Sequence, residues 1–313
     1  MNFKNKINSL PSIKKTIQNN FLTPKKSLGQ NFILDLNITN KIAKLANCSK
    51  KKIIEIGPGP GSLTRSILLE GAESVVAIEK DLRMINCLKE LKIICDEKLN
   101  LINNDILNLT LNSLGPFPKS IIGNLPYNIS SKLIISWLKE MHYNKNVKID
   151  NITITIQKEL ADRLISSKDT KEYGRISVYT QLLSNVSRLL ELSPSNFYPK
   201  PKVFSSVINI IPLEKPRFKV NLETFEKIVK QAFGNRRKML RQSLKNLGGD
   251  KLLDMSNVNS SLRAENLSVE DFCFISNIFD KNLNPYDLKN FIKSFKSINL
   301  FLFNLSALRM LNT

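Results

Sequence analysis

Ile53-Ile54-Glu55-Ile56-Gly57-Pro58-Gly59-Pro60-Gly61-Ser62-Leu63-Thr64 sets an apolar run directly against three alternating glycines. The apolar half reads as a buried strand over 53–56, and the apolar spacing after the loop as a helix over 63–69. Glycines at such a junction let a ligand approach the backbone at the carboxyl edge of a sheet, where open α/β folds bind their ligands. The spacing separates two cofactor classes. A dinucleotide fingerprint needs its third glycine where Ser62 stands, whereas G-x-G-x-G is the spacing common in S-adenosylmethionine enzymes.

Working outward, short apolar segments alternate with helical periodicity. Strands are predicted over 74–78, 99–102, 119–122 and 151–156, with helices from Asp35 (apolar at Ile38, Ile42 and Leu45) and over 82–91, 129–139 and 159–165. A longer helix is predicted over 176–190, and a last strand over 204–211 after a proline-rich loop. This is an α/β pattern: a Rossmann-like, mostly parallel sheet with an antiparallel strand near one edge. Ahead of it, residues 9–21 read as a short helix with Ser9 as N-cap. After the linker at 212–219 the strands stop, and helices over 222–233, 236–247 and 269–279 predict a small all-helical domain. The expected division is a helical arm (1–23), a cofactor-binding domain (24–211), a helical domain (212–279) and an extension of unassigned role (280–313) carrying Phe291, Phe295 and Phe301.

Polar residues stop each strand at the edge already holding Gly57 and Gly59. Glu79 ends the second strand, where a carboxylate can accept both hydroxyls of a cofactor ribose. Asp105 follows the third and can accept from an adenine amine, although Asn-Asn-Asp is also common loop composition. Asn124-Leu125-Pro126-Tyr127 follows the fourth and brings an amide, two carbonyls and an aromatic ring to one point. That set suits a planar exocyclic amine such as adenine N6, with Tyr127 stacking on the base. Taken alone, the tetrapeptide is also ordinary turn chemistry.

The chain carries 47 Lys+Arg against 27 Asp+Glu, a net +20, as expected of a protein that handles a polyanion. Two stretches concentrate that charge. In Phe197-Tyr198-Pro199-Lys200-Pro201-Lys202-Val203, Phe197 could hold the second face of a target base while Lys200 and Lys202 touch phosphate; the same loop could equally be a rigid lead into the last strand. Arg236, Arg237, Lys238, Arg241 and Lys245 cluster on the predicted 236–247 helix, with Arg237, Arg241 and Lys245 on one face. Nearby acids are limited to Glu214, Glu223 and Glu226, which favours a phosphate-contacting helix over a solvated face.

The four cysteines form no C-x-x-C pair and His142 is the single histidine, so no zinc site, disulfide framework or H-E-x-x-H motif is indicated. No segment reads as a membrane span or signal peptide, and a cytoplasmic, monomeric, metal-free protein is expected.

The ordered series KKSLGQNFILD, EIGPGPGSLT, AIEKD, GNLPYNISS, QKELADRL, YGRISV, FYPKPKVFSSV and AFGNRRKMLRQSL resembles the small-subunit (16S) rRNA adenine N6-dimethyltransferases, and more distantly the erythromycin-resistance rRNA methyltransferases. The resemblance runs from about Leu10 to Phe279. It implies a class I S-adenosylmethionine-dependent methyltransferase fold, and dimethylation of two adjacent adenosines in the 3′-terminal hairpin of 16S rRNA during late 30S assembly, with the rRNA and the pre-30S particle as partners. By motif position it implies cofactor binding by Asn31, Ile33, Gly57, Glu79, Asp105 and Asn124, with Asn124 also facing the target amine. Lys132 stands where the family often has proline and Ile33 where leucine is usual. Alternatives are a methylase of large-subunit rRNA or of DNA adenine, and a non-catalytic RNA-binding factor that keeps the fold.

Overall fold

The structure, a computed structural model, describes residues 3–281, and it divides into one unit ending at Arg217 and a second beginning at Phe218. The expected aromatic-rich extension from 282 onward lies outside the described residues.

The chain enters through two helices, α1 (Phe3–Asn8) and α2 (Ile13–Asn19), rather than the single one expected over 9–21. The cap is Ser12, whose Oγ accepts from Lys15 N, while Ser9 Oγ turns back to donate to Lys6 O. Ile7 and Ile13 are buried, and Arg65 Nη1 donates to Pro11 O at 2.6 Å, so this arm packs within the first unit.

β1 (Phe32–Ile33) leads to α3 (Leu36–Leu45), capped by Asp35. The alternation then runs β2 (Lys52–Ile56), α4 (Ser62–Glu70), β3 (Ser74–Glu79), α5 (Leu82–Cys87), α6 (Lys89–Cys95), β4 (Leu99–Asn103), β5 (Lys119–Asn124), α7 (Ser130–Tyr143), β6 (Ile149–Gln157) and α8 (Lys158–Ile165). The helix expected over 82–91 breaks at Leu88, which is buried against Gly61: a Cβ built on that glycine would meet Leu88 Cδ2 at 2.5 Å.

The helix expected over 176–190 is instead α9 (Arg175–Leu183) followed by β7 (Ser184–Leu192). Ser184 ends the helix, its Oγ donating to Thr180 O, and the chain then pairs antiparallel with β9 (Ser205–Pro212). That pairing is a long-range contact, which local apolar spacing cannot register. Between them β8 (Phe197–Tyr198) pairs antiparallel with β1.

The main sheet has the order β4-β3-β2-β5-β6-β9-β7, with β9 antiparallel to both neighbours. This is the expected mostly parallel sheet with an antiparallel strand near one edge. Its central strands are nearly continuous β-branched runs: Ile53, Ile54, Ile56, Ile121, Ile122, Ile152, Ile154 and Ile156 are all buried, as strands covered on both faces require. The strand order reverses between β2 and β5, and Ile56 pairs with Gly123 across that line.

In the second unit, α10 (Leu222–Gly234), α11 (Leu240–Ser243), α12 (Gly249–Met255) and α13 (Val269–Lys281) pack around Phe225, Ile228, Leu253 and Phe272. The helix expected over 236–247 shrinks to α11. Its first amides are used elsewhere: Leu240 N donates to Leu262 O and Arg241 N to Ser260 O, instead of to the carbonyls four residues back. Arg236, Arg237 and Lys238 therefore sit in a turn, and the single helical face expected for Arg237, Arg241 and Lys245 does not form. Among the described residues no helix is long and apolar enough to cross a membrane.

At Gly123 the sheet leaves no room for a side chain on the face toward Ile56. A Cβ there would lie 2.6 Å from Ile56 O, so Gly123→Ala must push β5 from β2. The expected cost is about 1–3 kcal/mol of stability, read as a lower urea midpoint with an unchanged slope.

Candidate active site

A cleft of about 250 Å³ opens at the carboxyl ends of the parallel strands, at the line where their order reverses, as open α/β sheets place their ligand sites. Five segments reach it: residues 27–32 before α3, the glycine loop after β2, Glu79–Lys80, Asn104–Leu107, and residues 124–129 after β5.

The glycine loop holds its shape through left-handed backbone at Gly57 (φ 68°) and Gly59 (φ 54°). Gly59 also faces the Phe32 ring, and a Cβ there would come within 2.9 Å of it. Gly59 N donates to Glu79 Oε2 at 3.1 Å and Asp81 N donates to Oε1 at 2.8 Å. These two bonds fix the carboxylate at the cleft wall yet leave each oxygen a free lone pair for an incoming hydroxyl. Burial pushes the Glu79 carboxyl above the usual range, and the backbone donors of Asp81, Gly59 and Lys80 work against that shift.

Asp105 Oδ1 accepts from Leu107 N and Oδ2 from Lys80 Nζ at 2.8 Å. The lysine hydrogen bond holds its carboxyl below the usual range, so an ionised acceptor lines the same cleft as Glu79. The far wall is tied down by a residue that sequence reasoning did not single out. Gln30 Nε2 donates to Asp81 Oδ2, while Gln30 Oε1 accepts from Lys25 N, which straps the 25–30 loop to the end of β3. In the sequence Gln30 is one polar residue within a basic loop, and nothing local reveals its partner fifty residues on.

Asn124 closes the floor. Its Nδ2 donates to Asn31 O at 2.6 Å, which fixes the amide so that Oδ1 is the group left to accept. Leu125 N donates to Thr155 O, extending the β5–β6 pairing into the loop. Pro126 O accepts from both Ile129 N and Ser130 Oγ, so of the two carbonyls expected to face a ligand only that of Leu125 has no bond of this kind. The Tyr127 hydroxyl shares a 2.8 Å hydrogen bond with Ser205 Oγ, anchoring its ring at the cleft; burial raises its pKa.

The cleft thus brings together Asn31, Gly57, Gly59, Glu79, Asp105, Asn124, Leu125, Pro126 and Tyr127. It does not include Ile33 or Phe197. Both are buried and pair with each other across β1 and β8; Phe197 packs in the core, and Ile33 also lines a smaller pocket with Gly57, Pro58 and Asn124. Lys200 and Lys202 lie exposed on the loop after β8. Arg236, Arg237, Lys238, Arg241 and Lys245 are exposed on the second unit, and Arg236 Nε donates to Glu265, an acid that sequence proximity did not offer.

A glycine loop, a strand-ending acid with spare acceptor capacity and an N-L-P-Y floor form the constellation of a methyl-donor enzyme acting on an amine. The family model for ribosomal RNA adenine dimethylase matches residues 21–281. The chain belongs to that family. Curated relatives in this rRNA adenine dimethylase family include the ribosomal RNA small subunit methyltransferase A of Allorhizobium ampelinum, 40% identical over 87% of this chain and 98% of its own length. The protein of that name from Wolbachia sp. subsp. Brugia malayi is 42% identical over 82% of this chain and 97% of its own length. Among solved structures, the 23S rRNA methyltransferase ErmE has TM-score 0.60 at 25% identity, covering 80% of this chain and 99% of that one. A dimethyladenosine transferase from Plasmodium falciparum shares the fold with TM-score 0.67 at 23% identity, covering 79% and 96%. The class I methyltransferase fold of this family is the one described above.

One acid in the glycine-loop strand forms no ion pair. Glu55 is fully buried beside the Thr64 hydroxyl, and burial pushes its pKa up to about 8 against the lowering effect of that hydroxyl. The folded state therefore holds this proton more tightly than the unfolded chain. Stability contributed by it is complete below the ordinary carboxylate range and is lost as pH rises toward about 8. Glu55→Gln should remove that limb: urea denaturation from pH 5 to 8 is expected to show a stability slope flatter than wild type by about one proton.

Proposed function

We propose that this chain transfers methyl groups from S-adenosylmethionine to the N6 atoms of adenosines in small-subunit rRNA, dimethylating two adjacent adenosines of the 3′-terminal hairpin loop in late 30S assembly. The observation that carries this reading is the Asn124 amide, held by the Asn31 carbonyl with its oxygen free at the floor of a glycine-lined cleft. The names of the curated relatives support small-subunit rRNA over other adenine-bearing nucleic acids.

The residues present fit the donor. Gly57 and Gly59 would take its amino-acid end close to the backbone, the free lone pairs of Glu79 its ribose hydroxyls, and Asp105 its adenine amine. Bound there, S-adenosylmethionine supplies an electrophilic methyl group on a sulfonium, with a neutral thioether as leaving group.

The chain's own part is played on the acceptor. The adenine N6 lone pair is delocalised into the ring and is a poor nucleophile. In the first transfer Asn124 Oδ1 and the Leu125 carbonyl would each accept one N6–H, and in the second one of them would accept the single N6–H that remains, favouring each time a pyramidal nitrogen whose lone pair is turned out of conjugation with the ring. The same two oxygens offset the positive charge that develops on nitrogen. Pro126 has no N–H to compete for them and stiffens the loop. Tyr127 offers a ring face to the unstacked base. The proton on the methylated, positively charged nitrogen is acidic enough to pass to solvent, so the step requires no histidine base. On the second unit, Arg236, Arg237, Lys238, Arg241 and Lys245 would neutralise phosphates, as would Lys200 and Lys202 on the first.

Primer extension across the small-subunit rRNA 3′ hairpin, in cells with and without this gene, tests the assignment; loss of the modification stop is expected, and an unchanged stop contradicts it. Asn124→Ala should lower kcat about 100-fold or more while RNA affinity stays near wild type. Arg237→Ala and Arg241→Ala should each weaken RNA binding and reduce the slope of log K against log salt by about 1, without altering cofactor affinity in calorimetry.

A further inference from the structure

The loop from Tyr198 to Phe204 turns two aromatic side chains outward. Tyr198 is 47% exposed, Phe204 51% and Val203 43% between them, an unusual run of large apolar surface for a loop. Phe197, the aromatic that the sequence nominated for a base, is 6% exposed and packs in the core. Both outward rings are attached to the cleft by their backbone. Tyr198 pairs with Phe32, whose ring lines the cleft against Gly59, and Phe204 precedes Ser205, whose Oγ holds the Tyr127 hydroxyl. Phe204 O accepts from Lys158 N, so the base of the loop is fixed to α8. Lys200 and Lys202 are exposed between the rings, and the sequence from Leu192 to Leu213 contains no acidic residue.

We propose that Tyr198 and Phe204 form a stacking platform for single-stranded nucleotides that flank the target adenosine, with Lys200 and Lys202 contacting the phosphates between them. The inference rests on the RNA-methylating function proposed above and adds to it a site for bases that are not themselves modified. A reacting adenine must leave its stack, and its neighbours then lose a stacking face. Exposed aromatics interleaved with lysines replace that face and track the backbone, which is how proteins hold single strands. Stacking accepts any base, so the platform orients the loop while Asn124 reads the amine.

The test uses the full chain and a hairpin RNA carrying 2-aminopurine at the position immediately 5′ or 3′ of the two target adenosines. With wild type, binding should change the fluorescence at one or both flanking positions as the probe stacks on a ring. The Tyr198→Ala, Phe204→Ala double variant should lose that change and bind the RNA about 10-fold more weakly. Its melting temperature and its calorimetric affinity for S-adenosylmethionine should match wild type, and Tyr198→Phe with Phe204→Trp should restore the fluorescence change. A double variant that binds and responds like wild type overturns the platform and leaves the surface to a protein partner. A wild-type chain that ignores the rRNA hairpin, yet shows the same variant-sensitive response with an unrelated single-stranded RNA, overturns the rRNA assignment and supports the platform.

Discussion

The hydrogen bond from Asn124 Nδ2 to Asn31 O ties the end of β5 to the loop ahead of β1, and the site depends on it. It asks one side-chain nitrogen to face a backbone carbonyl, which decides where the oxygen of the same amide must point. Everything around it keeps the two ends in place. Gly123 allows β5 to lie against β2, Leu125 N continues the pairing with β6, and Pro126 O anchors the first turn of α7 through Ile129 and Ser130. On the other side, the 25–31 loop is strapped by Gln30 to Asp81, whose own amide holds Glu79. Donor wall and acceptor floor are thereby one connected network.

The cleft concentrates charge and burial differently on its two walls. Asp105 is ionised by a lysine at the rim, whereas Glu79 is kept in place by backbone donors in a buried setting that raises its pKa. Glu55, one strand residue before the glycine loop, is buried without a charged partner, with only the Thr64 hydroxyl beside it. A lone buried acid is tolerated when it stays protonated, since burying its charge would cost several kcal/mol.

Much of this was legible in the chain. The strand-ending positions of Gly57, Glu79, Asp105 and Asn124 followed from apolar runs interrupted by polar residues, because a parallel sheet aligns all its carboxyl ends at one edge. What stayed hidden was long-range. Residues 184–192 carry apolar residues at spacings that suit a helix, and only the antiparallel pairing with β9 makes them a strand. Arg237 and Arg241 have helical spacing, but amides committed to Ser260 and Leu262 turn the chain between them. Phe197 and Tyr198 are adjacent aromatics, and the register of β8 on β1 decides that the first is core and the second is surface. Gln30 and Ser205 were missed for the same reason, their partners being distant in sequence.

The most direct test of the account is the single-turnover methylation rate of Asn124→Asp. The substitution keeps an acceptor oxygen but removes the donor that Asn31 O needs, so the carboxylate is repelled from the carbonyl and the acceptor loses its fixed direction. A fall of about 100-fold, with S-adenosylmethionine binding retained, is the result this structure predicts. A rate within about threefold of wild type would show that any oxygen at position 124 suffices, and that the bond to Asn31 does not organise the site.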